Sequence, residues 1–595
     1  MFKTLAKSIR EYKRPTYITF LAMVGEVGIE VAIPFITANL INQIKAGIEM
    51  ASLVRTGLLL VLMALVSLAC GAIGGYSCAK AAAGFAKNLR ADMYRRVLNF
   101  SFENIDRFSS ASLVTRMTTD VQNTQFAYMM VIRTAVRSPL MLVFTVIMAF
   151  IMGGKLALTF VVVIPVLGIG LYVISRKAMP AFQRVFRKYD RLNESIEENI
   201  RGMRVVKGYS REEHEKQKLN AASDSIFIDF QKAERIVALN SPLMQLCMYF
   251  NMLFVLFVGS RIIVSYNGTV IDVGQISAML TYAMQVLMSL NMLSMVYVIL
   301  TISNESMKRI CEVLVAEPTL TNPEDPIYEV PDGSIDFENV SFKYSEKAKK
   351  FSLSNVDLHI DSGMTVGILG GTGSSKTTLI QLISRLYDVS EGSVKVGGID
   401  VRRYDLETLR NAVSVVLQKN LLFSGTIKEN LRWGNKDATE ADCREACRLA
   451  CADEFIESKP EGYEARVERG GANFSGGQKQ RLCIARALMS HPKILIFDDS
   501  TSAVDTATDA KIRASLAKSM PGVTKIIIAQ RISSVQDADR ILVMDDGRIS
   551  AFDTPERLME TSSIYREVYE SQTKGGGDFD ESGAGSASSV KGGDR

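Results

Sequence analysis

Residues 494–505 read ILIFDDSTSAVD, four apolar residues running into two adjacent aspartates. A buried strand ending in acid can hold a magnesium ion against a nucleotide phosphate, and Asp498 is the candidate metal-holding carboxylate. Asp499 stands where such sites usually carry a glutamate, and its carboxylate is one methylene shorter. A general base must lie within about 2.6–3.2 Å of its proton or reach it through one water. Retraction by one C–C bond, about 1.5 Å, takes Asp499 out of direct reach.

A second constellation needs a strand, a tight turn and a helix to position it. TVGILGGTGSSKTTLIQLISRLY reads as an apolar strand to residue 369, a turn from Gly370 and a helix from Lys376. The phosphate-loop pattern asks for Gly, four residues, Gly, Lys, then Ser or Thr, so that backbone N–H groups and a helix N-terminus surround the phosphates. Gly370, Gly373, Ser374 and Ser375 form the expected loop, followed by Lys376, Thr377 and Thr378. Lys376 would reach the β and γ phosphates and Thr377 the magnesium, while Ser375 occupies the place of the second glycine.

The segment NFSGGQKQRLCIARALMSHPKILIFDD carries a third motif, and with it the sequence resembles the ATP-binding cassette (ABC) family over essentially its whole length. The resemblance implies that Tyr344 stacks on adenine and that Gln418, in SVVLQKNLLFSGTIKENL, senses Mg2+ and the membrane domain. It implies further that Phe474, Ser475, Gly476, Gly477 and Gln478 are the signature, and that Ser502 to Asp505 speak across a dimer. In the family a glutamate follows the magnesium-binding aspartate, and a histidine in the next loop contacts the γ-phosphate. Here Asp499 and Gln530 stand at those places, and none of the three histidines, His214, His359 and His491, matches the histidine loop. Ser375, Asp499 and Gln530 therefore depart together at the cleavage side, while Tyr344, Lys376, Thr377 and Asp498 remain for binding.

The elements around these motifs separate along the chain. Six stretches, near 16–44, 54–80, 131–152, 155–177, 242–266 and 274–303, have the roughly 20 apolar residues that a helix needs to cross a bilayer. The second and third are joined by a long charged helical segment, as are the fourth and fifth; the other connections are short. Lys and Arg crowd the N-terminus and the two long segments, which places both, the termini and the cassette in the cytoplasm. Residues 1–15 read as an interfacial elbow helix, 16–315 as the transmembrane domain, 316–333 as a proline-marked linker, 334–572 as a nucleotide-binding domain and 573–595 as a disordered tail. The expected fold is a six-span α-helical membrane domain with long cytoplasmic extensions, fused to an α/β P-loop ATP-binding cassette.

Composition narrows the partners. The 69 basic and 64 acidic residues leave a net charge of +5, too balanced to argue for nucleic acid. Cys443, Cys447 and Cys451 fall at four-residue spacing on one helical face, which favours buried packing over a zinc site built from separate pairs. Absence of disulfide patterning and of a transit peptide fits a bacterial inner (plasma) membrane.

Within the spans, Glu26 and Glu30 share a helical face one turn below Pro34, either as a site for cationic amphiphiles or protons or as a solvated pair. Methionine stripes at Met284, Met288, Met292 and Met295, and at Met244, Met248 and Met252, favour packing, whereas Asn251, Gln285 and Asn291 favour a wet cavity. By resemblance, residues 102–110 and 206–214 are short helices docking on the cassettes, with Phe108 and Tyr209 as anchors.

The resemblance implies a shared nucleotide site, closed by the signature of a second cassette. The pattern resembles the degenerate-site subunit of a heterodimeric exporter of amphipathic compounds, with ATP and Mg2+ as cofactors, a second half-transporter as partner and a lipid bilayer as solvent. The alternatives are a homodimeric exporter of peptide or lipid, and an ATP-binding regulatory subunit that never hydrolyses.

Overall fold

Long apolar helices dominate the first half of the chain. The structure is a computed structural model that describes residues 1–47, 49–266, 269–346, 348–499 and 504–574. It falls into two units: Met1–Asn99 with Phe108–Ala316, and Phe100–Arg107 with Glu317–Arg595. The expected tail lies almost wholly outside the described residues, as does Ser502.

The first unit is built from α1 (Lys13–Lys45) and α2 (Met50–Leu98), with α3 (Phe102–Phe108) leaving it for the second unit. The chain continues with α4 (Thr134–Gly153), α5 (Leu158–Arg201), α6 (Met203–Gly208), α7 (Glu212–Ala238), α8 (Asn240–Ser265) and α9 (Val273–Val315). At ~1.5 Å per residue, the 49 residues of α2 and the 43 of α9 are about twice as long as a hydrocarbon core is thick, so their charged ends must extend beyond it. Among the described residues five helical runs are long and apolar enough to cross a membrane. The third, Ser110–Arg201, breaks at Gly154, whose φ of +50° starts the 3-10 turn Gly154–Ala157 between α4 and α5. Six helical segments are thereby available for crossing.

Local chemistry fixes the helix ends. Asp272 caps α9 reciprocally: Gln275 N–H donates to its Oδ1 at 2.7 Å, and its own N–H donates to Gln275 Oε1 at 2.9 Å. The N-terminal segment is not one straight helix. It bends at Arg10 (φ +41°), and Ser8 Oγ donates to Asp92 Oδ2 at 2.7 Å while Asn88 Nδ2 donates to Ser8 O at 3.1 Å, so it lies along the distal part of α2. Gly84 allows this approach, since a Cβ there would collide with the Tyr12 ring. Asp120, fully buried in the π-helical turn Arg116–Asp120, accepts from Ser306 Oγ at 2.8 Å and from Arg309 Nε at 2.8 Å, tying that turn to α9.

Among the described residues the second unit carries a four-stranded sheet, a six-stranded sheet and a two-stranded ribbon that pairs Gly425–Thr426 with Arg466–Val467. In the first, β1 (Ile335–Phe342) runs antiparallel between β2 (Leu353–Ile360) and β4 (Glu391–Val396). The six-stranded sheet contains β3 (Thr365–Gly370), β5 (Val413–Val416), β6 (Ile494–Asp498), β7 (Thr524–Ile528), β8 (Arg540–Asp545) and β9 (Arg548–Asp553), in the order β9-β8-β3-β7-β6-β5. All its pairings are parallel except β8 with β9. The strands β6 and β7 are buried at every position, as expected of a parallel sheet covered on both faces. The helices that matter for the site are α10 (Lys376–Ile383), α11 (Gly476–Leu488) and α12 (Thr506–Ser519).

One cysteine expectation needs correction. The helix holding Cys443 and Cys447 ends at Leu449, and Cys451 follows it with a left-handed φ of +52°, so the three do not share one helical face. Cys443 and Cys447 are buried, and no cluster of metal-ligating side chains occurs among the described residues.

Candidate nucleotide site and membrane cavity

Three neighbouring parallel strands, β3, β7 and β6, end at one edge of the sheet, where ligands bind in open α/β folds. Ile528 pairs with Ile368 on one side and Asp498 on the other, which brings the Gly370 loop, Gln530 and Asp498–Asp499 to that edge. The loop closes tightly because Gly373 takes φ +84° and Ser375 takes φ +69°. A left-handed conformation costs a residue with a side chain on the order of 1–2 kcal/mol, which explains why the pattern favours glycine where this chain has Ser375.

Lys376 Nζ folds back over the loop, donating to Gly370 O and Gly371 O, both at 2.8 Å, and to Ser374 Oγ at 3.2 Å. Burial pulls its pKa down despite the nearby Asp499 and Asp498 carboxylates. Thr377 Oγ1 donates to Asp498 Oδ1 at 3.1 Å, and burial pushes the Asp498 pKa up. Thr378 follows one residue later, buried, and its Oγ1 lies 2.9 Å from the Tyr344 hydroxyl. Tyr344 also donates to Gln381 Oε1 at 3.1 Å and packs edge-on against Tyr387, with ring centroids 5.2 Å apart.

Asp499 sits just past the strand end with φ +47°. Its Oδ2 accepts from Gln530 Nε2 at 2.8 Å and from Gln418 Nε2 at 3.3 Å. Gln530 and the glutamine-loop residue Gln418 thus converge on the shortened acid. Two amide donors hold one oxygen of Asp499 toward Gln530 and Gln418, and the amide at the histidine position is no base.

The FSGGQ motif opens α11 with a capping box: Gln478 N–H donates to Ser475 Oγ at 3.3 Å, and Ser475 N–H donates to Gln478 Oε1 at 3.0 Å. Gly476 and Gly477 form the first helical positions, so their N–H groups face the end of the helix where anions are stabilised. Phe474 is buried, with Lys459 Nζ 4.7 Å from its ring centre. Asp505 caps α12, accepting from Thr508 N–H at 2.9 Å, and this bond holds its carboxyl below the usual range.

The segment Phe100–Arg107 packs with the cassette. Tyr387 Oη donates to Asp106 Oδ2 at 2.6 Å, and the Phe102 and Tyr387 rings lie 6.1 Å apart. Nearby, Asn104 Nδ2 donates to Glu317 O at 3.1 Å. Phe108, expected as the anchor, instead packs inside the first unit with the Arg116 guanidinium 5.0 Å over its ring; a helix of seven residues cannot point Phe102 and Phe108 the same way. Tyr209 is 77 % exposed just beyond α6.

In the first unit Glu26 and Glu30 are not free. Arg137 on α4 bridges them, with Nε 3.3 Å from Glu26 Oε1 and Nη2 2.6 Å from Glu30 Oε2. Sequence reasoning missed Arg137, although a basic residue opening an apolar span is a visible signal that two acids could answer. Glu30 and Arg137 line a cavity of about 410 Å³ together with Gln285, Met288, Asn291 and Met292. Gln285 Nε2 donates to Glu30 O at 3.4 Å, whereas both side-chain polar atoms of buried Asn251 have no hydrogen-bond partner. Of the methionine stripe, Met284, Met288, Met292 and Met295 are all exposed within this unit.

Comparison with known proteins gives a consistent picture. The profile described as ABC transporter transmembrane region matches residues 16–290, and the profile described as ABC transporter matches 353–502. The chain is 34 % identical over 574 residues to the Uncharacterized ABC transporter ATP-binding protein MT1311 of Mycobacterium tuberculosis, covering 96 % of this chain and 98 % of that one. It is 33 % identical to the Uncharacterized ABC transporter ATP-binding protein YfiB of Bacillus subtilis, covering 95 % and 97 %. Its fold is similar to that of a bacterial Atm1-family ABC exporter solved with ATP bound, with a TM-score of 0.82 at 22 % identity, covering 94 % of this chain and 99 % of that one.

Proposed function

Because the chain belongs to the ABC transporter family and is an ATPase-coupled transporter with a membrane domain fused to one ATP-binding cassette, we propose that it is the degenerate-site half of a heterodimeric exporter of amphipathic compounds. The nucleotide on its own Gly370–Thr378 loop is held for many cycles. Turnover occurs on the partner's loop, against the FSGGQ motif of this chain. The observation that carries this reading is the pinned acid: Asp499 is one methylene short and hydrogen-bonded to the amide that replaces the family histidine.

The binding residues fit Mg2+ as well as ATP. Thr377 and Asp498 bring a hydroxyl and a carboxylate oxygen within 3.1 Å, and Gln418 offers an amide oxygen, an all-oxygen set suited to a hard cation that also takes phosphate and water ligands. When bound, the ion would neutralise charge between the β and γ phosphates. Lys376 would leave its loop carbonyls for those phosphates, and Tyr344 would present its ring to the adenine. Gln530 offers no general base, so the attacking water keeps its proton and the clamp persists.

Each site needs a second cassette, because the signature serine and glycines of one chain close the loop of the other. Cassette closure is transmitted through the Phe102–Tyr387–Asp106 contact to α2 and the helices beyond α3. The cavity beside Glu30 and Arg137 alternates between the two faces of the plasma membrane, with the cassettes in the cytoplasm. Two carboxylates against one guanidinium leave one negative charge there, which supports a cationic head on an apolar body lying along Met288 and Met292.

The direct test is steady-state ATPase of the purified chain alone and of the complex with its co-purifying half-transporter. Turnover is expected only in the complex. A chain that hydrolyses several ATP per second alone, as a homodimer, would overturn the reading.

A further inference from the structure

The last helix of the cassette, α13 (Ser563–Lys574), reaches back to the nucleotide edge. Tyr565 is 2 % exposed, and Ile564, Val568 and Tyr569 pack on the same core as Ile532 and Val535. Spacings of three and four residues put Tyr565, Val568, Tyr569 and Gln572 on one face, so the face that docks the helix ends in an amide. Gln572 Nε2 donates to Gln530 O at 2.9 Å, and Ile532 N–H donates to Gln572 Oε1 at 2.9 Å. Arg531 between them is extended, with φ −97° and ψ 130°. A carbonyl and the N–H two residues on then point the same way, and one side-chain amide binds both as a residue of a parallel neighbouring strand would.

We propose that Gln572 is a positioning residue for the terminal phosphate of the bound nucleotide: its amide brackets the backbone from Gln530 to Ile532 and so aims the Gln530 side chain. Gln530 is the residue that the family resemblance puts beside that phosphate, and its Nε2 already donates to Asp499 Oδ2 at 2.8 Å. An amide nitrogen carries two N–H groups, so the second can be given to a phosphate oxygen. Gln530 then stands as a shared donor between the Asp499 side chain and the phosphate. ADP lacks the group that Gln530 would meet. The bracket therefore sets how strongly the Gly370–Thr378 loop prefers ATP to ADP.

The amide aims the loop rather than docking the helix. Gln572 is exposed and adds nothing to the core, whereas Tyr565 and its neighbours already fasten α13. Toward Asp499 the loop is not packed: a cavity of about 170 Å³, bounded by Asp499, Val504, Gln530 and Ser533, leaves it room to shift. Its flanks are fixed. Ile528 ends β7 in register with Ile368 and Asp498, and beyond the loop Arg513 Nη2 donates to Ser533 O at 3.1 Å and Ser534 Oγ to Asp509 Oδ2 at 3.2 Å. Between these points Gln572 holds the backbone of Gln530, and a shift of about 1 Å there is enough to break a hydrogen bond. Gln572 acts in this way whichever cassette hydrolyses, provided that the Gly370 loop binds the nucleotide.

Displacement of a fluorescent ATP analogue from the full-length chain in detergent with Mg2+, by ATP and separately by ADP, tests the proposal. Gln572→Ala and the similarly shaped Gln572→Met are each expected to lower the ratio of ATP to ADP affinity by about tenfold, the loss of one hydrogen bond to a charged group, with ADP affinity and Tm little changed. Gln530→Ala is expected to lower the ratio as much. Adding Gln572→Ala to it should lower the ratio no further, because Gln572 acts through Gln530. The affinity ratio judges Gln572 and turnover judges the degenerate-site assignment, so either can fail alone. An unchanged ratio in Gln572→Ala, a ratio restored by Gln572→Met, equal weakening of ATP and ADP, or effects that add in the double variant would overturn it.

Discussion

Asp499 and Gln530 hold each other. Their 2.8 Å bond places the shortened acid at the end of an amide that can neither take nor relay a proton, so both deficits act at one point. Replacing Asp499 by Glu and Gln530 by His together is expected to raise hydrolysis at this site by about 10²-fold, the lower range for a restored general base, measured as ADP release from the chain's own loop. Neither single change should recover as much, because each leaves half of the pair. Ser375→Gly relieves a left-handed φ of +69° that is present without nucleotide, and is expected to stabilise the cassette by about 1–2 kcal/mol without restoring cleavage, read as a higher Tm with ATP affinity little changed. These residues were legible in the sequence because each motif is short and local. The pairing of Arg137 was not, since Glu30 lies 107 positions away and no sequence spacing joins the two. Its discovery changes what Glu26 and Glu30 can do. Substituting both with Gln leaves Arg137 unpaired in the membrane domain and is expected to abolish transport of cationic dyes, whereas unchanged dye transport would remove the acids from the substrate path.

At the scale of elements, the proposed coupling runs through short contacts. The chain passes from α2 into α3, and the part through Arg107 belongs with the cassette, held by Tyr387 against Asp106 and Phe102. Tyr387→Phe deletes a hydrogen bond to a charged group, worth about 1.5–3 kcal/mol, while leaving the ring in place. Transport by the assembled complex is expected to fall several-fold with ATPase activity nearly intact, and equal loss of both would show that the contact serves stability instead. On the other side of the unit, buried Asp120 depends on Arg309. Arg309→Met would strand that carboxylate at a cost of about 3 kcal/mol, seen as a lower Tm and earlier proteolysis of the Arg116–Asp120 turn. Apolar periodicity revealed the long helices and the alternation of strands and helices in the cassette. It could not reveal the π-helical turn or the bend at Arg10, because both are set by partners distant in sequence, Arg309 in one case and Asp92 in the other. A short helix was expected near 102–110 and one spans Phe102–Phe108, but Phe102 rather than Phe108 meets Tyr387. Seven residues cover two turns, and the periodic signal is too short to choose a face.

At the scale of the whole molecule, the proposed function has the chain supply one complete signature and one loop that binds without cleaving, so its activity would have to be sought in a pair. The motif order along 595 residues made the architecture readable before any coordinates, whereas the pairing rests on what a second polypeptide contributes. Asymmetric turnover gives an unambiguous observable. A photoreactive ADP analogue trapped with vanadate after turnover, followed by peptide mapping of both chains, tests it most directly. Label is expected on the partner's glycine loop, with this chain marked only around Phe474–Gln478; vanadate-dependent label beside Lys376 would contradict the account.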